Sequence, residues 1–325
     1  MSVAVHHAAQ SIDPVLITKL DQLRPFIGNT PLFPLHDFVP EGVQLFAKLE
    51  WQQYGGSVKS RPAFAIFERA IRNGFLAARA KRSRSSGQRL LDASSGNTAI
   101  AYAHIGRALG IGVTIVLPEN ASIERKEILK TLGVDIIYSS PYGGTDEAQQ
   151  LAKELAERHP EKYYYADQYN NPANIQAHSD HTAQEIWDQT SGDITHFITG
   201  LGTTGTFTGT SLGLRSYSDH IQHIALQPET ALHGLEGWKH LETAKVPGIY
   251  DPQIVDVHRA VSTEDSYHML KRAVDKAGLL LSPSAAAALS GAVQLGHEIE
   301  SGTIVTVFAD NAEKYSEVYK KLFHV

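Results

Sequence analysis

A lysine placed between a pair of glycines and a helical stretch is the first candidate for chemistry in this chain. In Gly55-Gly56-Ser57-Val58-Lys59-Ser60-Arg61-Pro62 the glycines make a turn, Pro62 is tolerated in the first turn of the following helix, and Lys59 falls at the helix N-terminus. There the positive end of the helix dipole and the neighbouring Arg61 disfavour the ammonium form, and an amine so placed can form a Schiff base. Taken alone, the segment reads more simply as a surface lysine after a tight turn. A Walker A loop is excluded, because Val58 stands where that motif needs glycine and Gly55 and Gly56 are wrongly spaced.

Two further segments place polar groups at the start of a helix. Ser94-Ser95-Gly96-Asn97-Thr98 follows a short aliphatic run and precedes an Ala-rich helix, so hydroxyls, an amide and free main-chain N–H groups converge where an anion such as a substrate carboxylate is favoured. Helix capping accounts for one of these residues without a ligand, but not for four. Gly200-Leu201-Gly202-Thr203-Thr204-Gly205-Thr206 matches G-x-G-x-x-G between a strand and a helix, and a dinucleotide turn is one reading of it, with Glu229 near the place of the expected acid. The three threonines favour another reading. A phosphate monoester presents three oxygens and about two negative charges at neutral pH, which suits a cup of N–H groups and hydroxyls at a helix N-terminus.

The elements that must position these groups alternate along the chain. Val43 to Glu50 reads as a strand and Ala63 to Asn73 as a helix closed by Gly74; Leu90 to Ala93, Val113 to Leu117 and Val134 to Tyr138 are short β-branched or aliphatic runs, each followed by a helical stretch. A second series comprises Thr195 to Thr199, Ile221 to Leu226 and Thr303 to Phe308, with helices near Phe207 to Leu214 and Ser284 to Leu295. This is α/β layering, with two lobes each built on a mostly parallel sheet flanked by helices. At 325 residues the chain is long enough for both.

Composition narrows the function classes. A net charge of -6 offers no long-range attraction to nucleic acid or anionic lipid, so small-molecule chemistry is favoured. The absence of cysteine removes disulfides, thiolate metal sites and Cys nucleophiles. No apolar run approaches a membrane span, and Met1 to Ser11 lacks the basic and apolar regions of a signal peptide, so a cytoplasmic protein is expected. The basic segment Arg79 to Arg89 reads as a solvated loop, and His6 and His7 as part of an N-terminal tail. His178, His181 and Glu185 recur at helical spacing that could ligate a metal, but neither Cys nor H-E-x-x-H supports a site and none is expected.

The three segments in this order resemble the cysteine synthase and cystathionine β-synthase family of fold-type II pyridoxal 5′-phosphate (PLP) enzymes over nearly the whole chain. Ile27-Gly28-Asn29-Thr30-Pro31-Leu32 is similar to the family's entry signature, Gly56-Ser57-Val58-Lys59 to its cofactor-lysine motif, Ser95-Gly96-Asn97-Thr98 to its Ser-Gly-Asn-Thr loop, and Gly202 to Thr206 to its phosphate loop. Gln168 to Asn174 and Ala309 to Tyr315 are further matches. The resemblance implies a smaller mobile lobe over 45–168 with the carboxylate loop and a larger lobe over 1–44 and 169–325 with the phosphate loop. It implies PLP on Lys59, Asn97 at the ring 3′-oxygen, Gly202, Thr203, Thr204, Gly205 and Thr206 on the phosphate, and Ser284 at the pyridine nitrogen. Ser94, Ser95, Thr98 and Gln168 would bind the substrate carboxylate. The implied reaction is loss of the β-substituent of O-phosphoserine or O-acetylserine and addition of sulfide, or of sulfur from a carrier, to give L-cysteine in a homodimeric enzyme. Cystathionine β-synthase, diaminopropionate synthase and serine or threonine dehydratase activities stay open as alternatives from the same family, and a nicotinamide oxidoreductase or a non-catalytic member as alternatives from other classes.

The chain departs from the family pattern at Thr204 and Ala99, where glycines are usual, at Ser60 for an aspartate and at Tyr54 for a proline. Val246 to Pro252 resembles the branch that accepts O-phosphoserine, in which a basic residue meets the substrate phosphate; Lys239 is the nearest match, with a solvated surface lysine as the alternative.

Overall fold

The computed structural model describes residues 12–77 and 88–324. The histidines at 6 and 7 and all but the last two residues of the basic segment 79–89 therefore lie outside the described residues. The chain divides into two compact units, one of Met1–Ile27 with Lys59–Ala173, the other of Gly28–Val58 with Asn174–Val325.

The first unit is built on four parallel strands, β3 (Arg89–Ala93), β4 (Val113–Pro118), β5 (Asp135–Ser139) and β6 (Tyr163–Tyr165), in the order β5-β4-β3-β6. Strand β4 is buried at every position, which is why Val113 to Leu117 reads as a run of β-branched and aliphatic residues rather than an alternating one. Helices α1 (Pro14–Leu23), α2 (Ser60–Arg72), α3 (Asn97–Leu109), α4 (Ile123–Thr131) and α5 (Gly144–Arg158) belong to this unit, with α1 packed on α2 and α3. Small alanines of α5, Ala148, Ala152 and Ala156, close it against Leu91, Ala93 and Val116. Helix α2 starts three residues before the expected Ala63, because Ser60 and Arg61 are already helical and buried.

The second unit carries six strands, β1 (Leu32–Pro34), β2 (Val43–Leu49), β7 (His196–Gly200), β8 (Gln222–Pro228), β9 (Val257–Val261) and β10 (Gly302–Phe308), in the order β1-β2-β10-β7-β8-β9. All neighbours are parallel except β1 with β2. Residues 45–49, read from the sequence with the smaller lobe, pair through β2 with β10 in this sheet. Helices α9 (Thr263–Ala277) and α10 (Pro283–Gly296) form one core with Leu45, Ile198, Ile224 and Leu226. Helices α7 (Ala183–Gln189) and α8 (Gly205–Tyr217) form a second with Phe197, Ala225 and Val305. The remaining helices of this unit are α11 (Ser316–Phe323) and part of α6 (Pro172–Ala177).

The entry segment performs structural work here. Asn29 at φ 51 donates its N–H to Glu185 Oε1 at 2.9 Å, and the Thr30 hydroxyl donates to Glu50 Oε1 at 2.7 Å. Fully buried Lys48 donates to Glu185 Oε2 at 2.6 Å, Gln189 Oε1 at 3.0 Å and the Thr30 carbonyl at 2.7 Å. A buried charge is tolerated because each ammonium proton finds an acceptor. Glu185, weighed in the sequence as a metal ligand, is thereby committed to Lys48.

Candidate active site

Lys59 is the first residue of its unit in this part of the chain and stands at the N-cap of α2, half-buried, with its carbonyl accepting from Ala63 N–H at 3.0 Å. The glycines before it are both left-handed, Gly55 at φ 92 and Gly56 at φ 66, a conformation that residues with a Cβ adopt at a cost. The turn is fixed from its own unit: Gly56 N–H meets the Gln53 carbonyl at 3.0 Å, Val58 N–H the Ala309 carbonyl at 2.8 Å, and Lys314 Nζ the Gly56 carbonyl at 3.2 Å.

In the first unit the structure brings Ser94, Thr98 and Gln168 together. Ser94 Oγ accepts from the N–H groups of Gly96 and Ala99, both at 3.3 Å. Thr98 Oγ1 donates to Gln168 Oε1 at 2.7 Å, and Gln168 Nε2 donates to the Ala93 carbonyl at 3.2 Å. Ser95, Gly96 and Asn97 remain half-buried at the tip, where α3 begins.

In the second unit the cup Gly202 to Thr206 opens α8. Thr203 Oγ1 accepts from Asn174 Nδ2 at 3.1 Å, and Thr206 Oγ1 lies 3.2 Å from His178 Nε2. His178, on a π turn over His178–Thr182, also meets Thr182 Oγ1 at 2.9 Å through Nδ1. The 233–240 segment closes over the cup: Lys239 N–H donates to the Leu201 carbonyl at 2.7 Å, and a Cβ on Gly202 would come within 2.1 Å of the Gly237 carbonyl oxygen. Half-buried Lys239 is thus tied by its main chain to the threonine loop. Ser284 stands in the first turn of α10, its hydroxyl 3.2 Å from that of Ser282, which caps the helix by accepting from Ala285 N–H.

Electrostatics distinguishes these helix starts from solvated ones. Helices α5 and α9 carry Asp146 and Glu147, and Glu264 and Asp265, in their first turns, which offset the helix dipole internally. Helices α2, α3, α8 and α10 have no acid there, so their N-terminal potential is left for an external anion. At the start of α8 the Thr204 hydroxyl is buried and has no hydrogen-bond partner among the described residues. Thr208, Thr210 and Ser211 share that state along α8, but only Thr204 combines it with the helix start. Donors of this kind fit a phosphate monoester.

Thr204 also explains why glycine is usual at its position, since it is held at φ 68. A β-branched residue in the left-handed region is strained by about 1–2 kcal/mol. Thr204→Gly is expected to stabilise the cofactor-free protein by up to about 1 kcal/mol, after allowing for glycine's greater freedom in the unfolded chain. Denaturant titration of both proteins checks this, and an unchanged or lower midpoint would contradict it.

A family model described as pyridoxal-phosphate dependent enzyme matches residues 23–310, and the chain belongs to that family. It is 44% identical over 297 residues to a cysteine synthase of Aquifex aeolicus, covering 89% of this chain and 88% of that protein. To cysteine synthase B of Escherichia coli it is 33% identical over 299 residues, covering 91% and 94%. Among solved structures it resembles O-acetyl serine sulfhydrylase isoform 3 from Entamoeba histolytica, with a TM-score of 0.83 at 28% identity, covering 100% of this chain and 95% of that one. PLP is therefore the cofactor, and the dinucleotide reading of Gly200 to Gly205 gives way to it. Among the described residues no helix is long and apolar enough to cross a membrane.

Two neighbours of the Ser94 to Thr98 turn escape the sequence reading: Asp92, which looks like an ordinary polar interruption of a strand, and Tyr102, which looks like core. Asn174 was visible only as part of a matching segment, although a Cβ on Gly205 would come within 2.0 Å of its Oδ1.

Proposed function

We propose that this enzyme replaces the β-substituent of an activated serine, O-acetylserine or O-phosphoserine, with sulfide to give L-cysteine. The observation that carries the reading is the Ser94 to Thr98 turn locked to Gln168, a set of hydroxyls, amides and N–H groups at an acid-free helix start that suits an α-carboxylate. The names of the relatives, cysteine synthase, point to the same product.

In this reading Ser94, Ser95, Thr98 and Gln168 bind the substrate carboxylate. Gly202, Thr203, Thr204, Gly205 and Thr206 bind the cofactor phosphate, Asn97 orients the ring through its 3′-oxygen, and Ser284 stands at the ring nitrogen. Bound PLP supplies an electron sink for charge developing at the substrate α-carbon. Lys59 Nζ holds the cofactor, takes the proton from Cα and returns it when the product is complete. Ser284 is neutral and does not stabilise positive charge on the ring nitrogen as a carboxylate would, which favours prompt departure of the β-substituent. The same reading carries a cytoplasmic homodimer, supported by family resemblance. Purified, PLP-loaded protein is expected to form L-cysteine from at least one of the two esters with sulfide. Production of a keto acid and ammonia in place of cysteine would assign it to the dehydratases instead.

The leaving group divides the two esters. Lys239, tied beside the cup, offers a point charge that stabilises a dianionic phosphate before and during departure, whereas acetate has little need of it. O-phosphoserine is expected to outperform O-acetylserine. Lys239→Ala should lower kcat/KM by about 10- to 100-fold with the phosphate ester, the equivalent of one charge-assisted hydrogen bond, and leave the acetate ester within about twofold. Equal losses, or a wild-type preference for O-acetylserine, would remove the phosphate role and leave the β-replacement reading standing.

A further inference from the structure

Asp92, in β3 two residues before the carboxylate turn, is fully buried and gathers donors from three segments of its unit. Its Oδ1 accepts from Ala93 N–H at 2.8 Å, and its Oδ2 accepts from the Tyr102 hydroxyl of α3 at 3.0 Å and from Gln168 N–H, just beyond β6, at 3.3 Å. Gln168 is the residue whose side chain bridges the Thr98 hydroxyl and the Ala93 carbonyl. One carboxylate thus joins the strand entering the turn, the helix leaving it and the main chain of the glutamine lying across it. Packing alone does not call for this, since a buried carboxylate is costly where an apolar side chain would fill the space.

We propose that Asp92, braced by Tyr102, is a positioning residue for the substrate carboxylate, holding the Gln168 main chain against β3 so that its side-chain amide keeps one orientation over the Ser94 to Thr98 turn. The proposal rests on the reading of that turn and Gln168 as the carboxylate site.

The arrangement is sensitive to pH. Burial, with a smaller contribution from Asp167, pushes the Asp92 carboxyl up to about 7, against the opposing effect of the bonds from Ala93, Tyr102 and Gln168. The groups facing it are Tyr102 on α3, Tyr165 on β6, and Asp167 and Tyr169 beyond β6. All three tyrosine hydroxyls are raised, chiefly by burial and further by the Asp92 charge, so they remain donors near neutrality. Arg69 of α2 acts on Tyr164. Above about pH 7 the ionised Asp92 offers both oxygens as acceptors to three donors. Below it, one oxygen carries a proton and faces donors, so an anchoring bond is lost.

The test compares holoenzyme of wild type, Asp92→Asn and Tyr102→Phe between about pH 6 and 8.5, at saturating sulfide, with whichever ester the wild type turns over, and with bound cofactor measured by visible absorption. In the wild type, KM should rise about five- to tenfold as pH falls below about 7, the loss of roughly one hydrogen bond, while kcat changes less than about twofold. Asp92→Asn should keep a raised KM with no inflection. Tyr102→Phe should move the inflection to higher pH, because a bond favouring the ionised form is gone. Unmoved profiles in both variants overturn the proposal. So does a fall of kcat together with loss of cofactor, which marks a merely structural role. A wild type that turns over neither ester refutes β-replacement instead. The anchor is then judged by amide hydrogen exchange in a peptide spanning Gln168: faster exchange in Asp92→Asn supports it, and unchanged exchange overturns it.

Discussion

Lys59→Ala is expected to reduce β-replacement by at least about 10³-fold while PLP still binds noncovalently. In the proposed reading the lysine supplies both the bond to the cofactor and the proton shuttle at Cα, and proton transfer by a positioned side chain alone is worth about 10²–10⁴-fold. The N-cap position of Lys59 on α2 involves no capping bond from its side chain, so the substitution leaves the helix start intact. In the proposed reading the cofactor phosphate is held by the Gly202 to Thr206 cup, which belongs to the other unit and does not involve this residue. Steady-state turnover and the cofactor content of the variant after gel filtration measure the two effects separately. Near-normal turnover would remove Lys59 from the chemistry. Loss of both cofactor and fold would leave the two roles unseparated, and Lys59→Arg, which keeps charge and length, then serves as the second variant.

The second large effect is expected at the cup. A Cβ on Gly202 would sit 2.1 Å from the Gly237 carbonyl oxygen, a main-chain atom that has no rotamer to retreat into. Gly202→Ala must therefore push the 237–239 segment outward and strain the Lys239 N–H to Leu201 carbonyl bond. Overpacking of this kind costs about 1–3 kcal/mol, and the loss should appear as cofactor affinity lowered by about tenfold or more. Titration of cofactor-free protein with PLP reads this directly, with circular dichroism as the check on folding. Affinity within twofold of wild type would mean that the cup is not where the phosphate binds.

The chemistry-bearing segments were legible because each requirement leaves a local trace. Gly55 and Gly56 mark a left-handed turn, the serines and threonines mark helix starts without acids, and β-branched runs mark parallel strands. What lay beyond the sequence is chiefly long-range. Period and propensity identify Val43 to Glu50 as a strand, yet nothing local says that Val43 to Leu49 pairs with Gly302 to Phe308 at the far end of the chain. Helix α8 starts two residues before the expected Phe207 although Gly205 and Thr206 are poor helix formers, a start that propensity does not reveal and that lies in close tertiary contact with Asn174. Strand β9 and helix α9 were unread: β9 is an edge strand interrupted by His258 and Arg259, and the capping signals of α9, Ser262 and Gly278, lie far from any motif. Asp92 escaped for a related reason. A carboxylate inside a strand acquires meaning only once Tyr102 and Gln168, ten and 76 residues away, are seen on its two oxygens.

The most direct test of PLP chemistry at Lys59 is to reduce the purified protein with borohydride, digest it, and locate the cofactor by mass. The account predicts a visible absorption band that disappears on reduction, with the reduced cofactor carried by the peptide containing Lys59. A cofactor found on another lysine, or a protein that binds PLP but forms no reducible bond, would contradict it.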